Sequence, residues 1–204
     1  MLLDHDKFVV KSTSKKFSWK KSYDIVDGDT GQSLGSARDV TGFVASLLGG
    51  IHIDVRDGGN NSLLFSVKST GLIFKKDQVF DGSGQLLGRF KAKRFSLSGG
   101  YHIYDKDGKH IAEIQGKMFK AEYKLVTPDR SAEMGTVSRT WGGLAKSLLT
   151  GDDSYGVQIA PGYSKDHTAK MLTLATTLAV ESIFKKKASK GGGGEGGGES
   201  GGED

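Results

Sequence analysis

The stretch from Lys170 to Lys187, "KMLTLATTLAVESIFKKK", decides how the rest of the chain is read. Only Met171 to Phe184 lie between its flanking lysines, and this run includes Thr173, Thr176, Thr177, Glu181 and Ser182. A bilayer-spanning helix needs roughly 20 mostly apolar residues, whereas a run of about 10–14 reads as a buried core helix. Length therefore favours the protein interior. The apolar side chains lie nearly all the way round a helical wheel, so such a helix has to be enclosed. The threonines fit an interior position because a helical Thr hydroxyl can bond back to its own backbone. Glu181 needs a partner or a proton there, and an inward Lys or Arg is expected to supply it.

The enclosure is written in the preceding sequence. From Phe8 to Ile159, short runs rich in Val, Ile, Phe and Tyr alternate with Asp/Gly turns, the pattern of strands and hairpins. "YDIVDGDTGQSLGSA" (23–37), "QVFDGSGQLLGRF" (78–90), "YHIYDKDGKHIAEI" (101–114) and "YKLVTPDRSAEMGTV" (123–137) share one plan, with Asp81, Asp105 and Asp129 at a constant interval. That interval fits an antiparallel meander with tight turns. A longer repeat relates "VTGFVASLLGG" from Val40 to "WGGLAKSLLTG" from Trp141. In both, apolar residues fall at the i, i+3, i+4, i+7, i+8 spacing of a short amphipathic helix. The expected fold is mainly β: a closed antiparallel barrel of about 12 strands in two related halves, wide enough to enclose the C-terminal hydrophobic helix. Its domain spans 1–190, with the central helix at 167–185.

A chain of 204 residues is long enough for one well-buried domain. It contains no Cys, which excludes disulfides and thiolate metal sites. The opening "MLLDHDKFVV" has no basic segment followed by an apolar run, so no secretory leader is expected in it. The tail 191–204, "GGGGEGGGESGGED", has no apolar side chain to bury and is expected to be disordered. The formal net charge is +5, and the body is more basic still once the tail's Glu195, Glu199, Glu203 and Asp204 are set aside. A basic body is drawn to anionic surfaces, lipid or nucleic acid.

Many strands followed by a C-terminal apolar helix resemble the tubby C-terminal-like superfamily. Within it, the chain is most similar to phospholipid scramblases and LURP-one-related proteins. The match rests on "SRTWGGLAKSLLTGDDSYGVQIAPG" (138–162), where Trp141, Gly143, Asp153, Tyr155, Gly156, Gln158 and Pro161 stand in the family's order, and on the "YHIYDKDGKHIAEIQGK" hairpin. The resemblance implies a non-enzymatic protein that binds anionic phospholipids or phosphoinositides at the cytoplasmic membrane face. It also implies two alternatives, lipid scrambling with the C-terminal helix in the bilayer, or a soluble interaction module in stress or defence signalling. Family scramblases carry a Pro-rich N-terminal region and a cysteine cluster, and this sequence shows neither. They also place a calcium-linked acidic segment before the final helix. Here Asp152 and Asp153 are the only weak calcium candidates, because Gly156 and Gln158 break the alternation of oxygen ligands and Lys165 adds a repelling charge.

Catalytic signals are lacking, and no cofactor is expected. His5, His52, His102, His110 and His167 show no HExxH-type spacing and no nucleophile motif. His102 and His110 flank the "YDKDG" turn and read as ordinary strand ends. The binding candidate is "GRFKAKRF" (88–95). On a strand, Arg89, Lys91 and Lys93 share one face, opposite Phe90, Ala92 and Arg94. Such a cation row binds phosphate groups, and Lys75 and Lys76 extend it. A second basic cluster, Lys185, Lys186 and Lys187, follows the helix and suits either anionic lipid or the helix dipole. The expected partner is an anionic phospholipid or phosphoinositide surface, met by a monomer peripheral to the inner face of the plasma membrane. A nucleic-acid partner is disfavoured, because aromatic-interleaved basic strands are missing.

Overall fold

Apolar side chains at every second position give each strand one face for the interior. The computed structural model describes residues 1–14, 20–70, 76–92, 100–117, 122–139 and 154–179. The strands are β1 (Lys7–Ser12), β2 (Ser22–Asp27), β3 (Ser33–Asp39), β4 (Ile51–Asp57), β5 (Leu63–Thr70) and β6 (Lys76–Asp81). They continue as β7 (Leu86–Ala92), β8 (Tyr101–Tyr104), β9 (His110–Lys117), β10 (Glu122–Val126), β11 (Glu133–Ser138) and β12 (Ser154–Ile159). Each pairs antiparallel with its sequence neighbours, and β1 pairs with β12, setting Phe8 opposite Val157, to close the barrel. Closure leaves no unpaired edge. Phe8, Val10, Ile25, Ile53, Val55, Phe65, Val67, Ile103 and Val157 all point inward and are buried.

The helix α2 (His167–Ala179) fills the interior, packed against β5, β7, β11 and β12. Every residue from Ala169 to Ala179 is buried. The inner wall is cut to receive it: a Cβ at Gly135 would lie 2.9 Å from Thr173 Cγ2, and one at Gly88 would lie 3.1 Å from Leu172 Cδ2. Its threonines are satisfied as expected. Thr173 Oγ1 donates to Ala169 O at 2.8 Å, Thr176 Oγ1 to Leu172 O at 2.8 Å and Thr177 Oγ1 to Thr173 O at 3.2 Å. Asp166 caps the helix, accepting the Ala169 N–H at 3.0 Å. The expected continuation from 180 to 185, with Glu181, lies outside the described residues, as do the second short helix from Trp141 and the tail 191–204. The first short helix forms as α1 (Phe43–Leu47), between β3 and β4.

Antiparallel order sends connections alternately to opposite ends of the barrel. At one, the turn end, five short turns follow β2, β4, β6, β8 and β10. An Asp side chain organises four of them. Asp27 Oδ1 accepts from Thr30 N at 2.7 Å, Asp57 Oδ1 from Gly59 N at 2.9 Å, Asp81 Oδ1 from Gln85 N at 2.8 Å and Asp105 Oδ1 from Lys109 N at 2.9 Å. The fifth is closed by Thr127, which pairs with Ala132, so Asp129 is not the counterpart of Asp81 and Asp105 despite its spacing. A helical turn at Leu2–Asp4 covers this end, with Leu2 fully buried and its N–H donated to Asp57 Oδ2 at 2.7 Å. The opposite, loop end carries the β3–β4 connection that contains α1.

Candidate functional site

An amphipathic period says that a helix has an apolar face, and tertiary contacts decide what that face meets. In α1 it meets solvent. Phe43 is 77 % exposed, Leu47 67 %, and Val44 and Leu48 nearly as much, with Val40 half-exposed beside them. No residue of α1 is buried. Contiguous exposed apolar side chains of this kind make α1 a candidate interaction surface. Cations lie near its start along the chain and in the β2–β3 register. Lys21 O accepts the N–H of Asp39, so the end of the β1–β2 connection lies against the root of α1, and both Lys20 and Arg38 are exposed.

The basic row predicted on β7 is present in part. Arg89 and Lys91 are both exposed, while Phe90 between them is buried, as strand alternation requires. Arg89 lies opposite Gln78 on β6 and Tyr104 on β8, and Lys91 lies opposite His102. Lys76 opens β6. Lys75 and Lys93 lie outside the described residues, as do Lys185, Lys186, Lys187, Asp152 and Asp153. The structure therefore brings Arg89 and Lys91 onto one face near the loop end. A groove of about 550 Å³ borders β9–β11 at the same end, lined by Gln115, Glu122, Tyr123, Lys124, Val137 and Ser138 among others. Its charges are of both signs, so it has no preference for an anion.

Two buried or half-buried charge clusters lie apart from α1. Lys170, 1 % exposed on α2, donates to Leu3 O at 2.7 Å and lies 2.9 Å from Asp6 Oδ1. Asp6 also accepts the Ser164 hydroxyl. Burial pushes the Asp6 carboxyl up, but Ser164 and Lys170 outweigh it and hold the group below the usual carboxylate range. This cluster ties the helix to the N-terminal segment.

The second cluster lies on the outer wall of β8 and β9. His102 Nδ1 is 3.1 Å from His110 Nε2 and 3.4 Å from Glu113 Oε1. His110 Nε2 is 4.0 Å from the same Glu113 oxygen. The other oxygen, Oε2, accepts from Arg130 Nε at 3.1 Å and from Gln115 Nε2 at 3.3 Å. The two histidines that read as separate strand ends in the sequence thus face one another across a buried carboxylate. What joins them is the register shift between Ile103 and Tyr104, which sets Tyr104 opposite His110. Without that bulge, residues 110 and 113 of one strand would point to opposite faces.

Comparison with known proteins gives this surface a family context. No solved structure matches the chain. The family model for Scramblase matches residues 64–184, which runs from β5 through β12 and α2. That span includes the Arg89/Lys91 row, the His102–His110–Glu113 cluster and the enclosed helix, and it leaves β1–β4 and α1 outside. A match over more than half of the sequence settles the family: this chain belongs to the scramblase family.

Proposed function

We propose that the protein docks peripherally on anionic phospholipid or phosphoinositide surfaces through its loop end. The observation that carries this reading is α1, which holds Phe43, Val44, Leu47 and Leu48 in solvent, with Lys20 and Arg38 exposed near its start. Apolar side chains entering the interface gain burial while nearby cations meet lipid phosphates. The sequence shows the same mixed basic and apolar character at "KKFSWKK" (15–21), "GLIFK" (71–75) and "KRFSL" (93–97). Membership of the scramblase family supports a lipid partner. Docking needs no catalytic group, and on this reading the protein works at the cytoplasmic face of a membrane.

The geometry of α2 opposes a reading in which that helix enters the bilayer. No helix among the described residues is long and apolar enough to cross a membrane. Withdrawing α2 would also strip the interior and break the Lys170–Asp6 pair. Co-sedimentation with phosphatidylcholine vesicles, with and without phosphatidylserine or a phosphoinositide, tests the proposal. Pelleting that rises with anionic lipid and is lost in Phe43→Glu/Leu47→Glu supports it. Equal, negligible pelleting at low salt for all vesicles would end it.

A further inference from the structure

We propose that His102, His110 and Glu113 form a binding site for a divalent transition-metal ion of the zinc class on the outer wall of the barrel. Three atoms converge: His102 Nδ1, His110 Nε2 and Glu113 Oε1, at mutual distances of 3.1, 3.4 and 4.0 Å. Zinc bonds to imidazole nitrogen and carboxylate oxygen are about 2.0–2.2 Å long, so two ligands of a tetrahedral ion stand roughly 3.4 Å apart. The observed triangle brackets that edge length, and small side-chain rotations complete it. Two imidazoles and one carboxylate suit zinc, cobalt or nickel. Calcium and magnesium require oxygen-dominated shells and do not fit.

The surroundings orient the set. Glu113 is 3 % exposed, and Arg130 and Gln115 hold its Oε2, which turns Oε1 toward the two rings. A hydrogen-bonded outer shell of this kind fixes ligand direction. The Tyr104 ring stands 5.3 Å from that of His110 and 6.1 Å from that of His102, walling one side. Arg130 takes a left-handed backbone, φ 60, in a turn end where Gly31, Gly84 and Gly108 take the same conformation. A side chain other than Gly costs about 1–2 kcal/mol there, and this one reaches Glu113. Across the β7–β8 ladder the exposed Lys91 lies opposite His102. Its flexible ammonium can turn to solvent.

The barrel supplies its own control. The preceding hairpin, β6–β7, repeats the same register, with Gln78 opposite Arg89 and Phe80 opposite Leu86 where β8–β9 has His102 opposite Glu113 and Tyr104 opposite His110. The hairpin architecture therefore does not require a ligand set at these positions. The site shares no residue with α1, so the zinc titration reads a property separate from docking through that helix.

The test is a zinc titration by calorimetry on chelator-treated full chain, paired with cobalt(II) absorption spectroscopy. One ion per chain, with a visible cobalt d–d band, is expected. Affinity should fall at least tenfold in His102→Ala and in His110→Ala, and stay unchanged in the exposed His167→Ala. Circular dichroism checks that each variant is folded, and the two histidine variants leave the buried Glu113–Arg130 pair intact. A wild-type chain that takes up no zinc at tens of micromolar would overturn the proposal, leaving an imidazole pair that shares a proton. So would an isotherm unchanged in the His102→Ala/His110→Ala double variant.

Discussion

The two ends of the barrel solve opposite problems with the same strands. At the turn end, carboxylates fold back on their own backbone, Leu2 closes the opening and Lys170 is tied to Asp6 and Leu3. Its polar groups are satisfied from within. At the loop end, α1 holds its apolar face away from the core, and Lys20 and Arg38 are exposed. On the docking proposal, one end carries stability and the other carries recognition, so mutations should separate the two properties.

The largest expected effect is at the turn end. Asp6→Ala leaves the buried Lys170 ammonium without its counter-ion and should lower unfolding free energy by about 3 kcal/mol, measured by denaturant titration. Vesicle binding should be unaffected, and a matching loss of binding would erase the distinction between the ends. The same end sets the acid response. The Asp57 carboxyl is held low by the Leu2 N–H, and Asp81 by the Ser83 hydroxyl. In Asp27, as in Asp6, burial pushes up but is outweighed, here by Thr30 and His5. Asp129 is drawn down to about 2 by Thr127 and Ser131. Because the folded values lie below the unfolded ones, the stability they supply is complete above the ordinary carboxylate value of about 3.9. It is lost as pH falls through the folded values. Thermal melts from pH 5 down to pH 2 should show a steady decline, and a flat profile would contradict it.

At the loop end the order of effects reverses. Phe43→Glu and Leu47→Glu should each weaken binding to anionic vesicles by about tenfold, from the apolar burial they remove. Stability should change by less than about 0.5 kcal/mol, since neither side chain is packed. The smallest effect is expected on the barrel wall. Arg89→Ala and Lys91→Ala should each cost about 1 kcal/mol of binding at low ionic strength, and the loss should vanish in high salt. A loss that persists in high salt would mean that these residues act through folding.

Much of the fold was legible because its signals are local. Alternation, Asp/Gly turns and an all-round apolar helix sufficed to give a closed barrel with a filled centre, and even the back-bonded threonines followed from chemistry. The site was legible only where one strand carries it: "GRFKAK" placed Arg89 and Lys91 on one outward face. The periodicity of "VTGFVASLLGG" gave α1 its apolar stripe, but period is silent on what a stripe touches. The His102–His110–Glu113 cluster was missed because it depends on cross-strand register and a bulge, and on Arg130 arriving from another hairpin. The spacing of Asp129 misled for a related reason, since the fifth turn closes on Thr127.

The β1–β12 seam has a consequence for how the molecule is made. Phe8 meets Val157, so the wall cannot close until nearly all of the strand sequence exists. The helix that must lie inside comes later still, after β12. Sequence-distant pairing of this kind makes for slow folding with exposed intermediates. Zipping the seam and seating α2 are therefore both expected late in folding. Until then, the apolar stretch that ends as the plug is open to whatever surface is nearest.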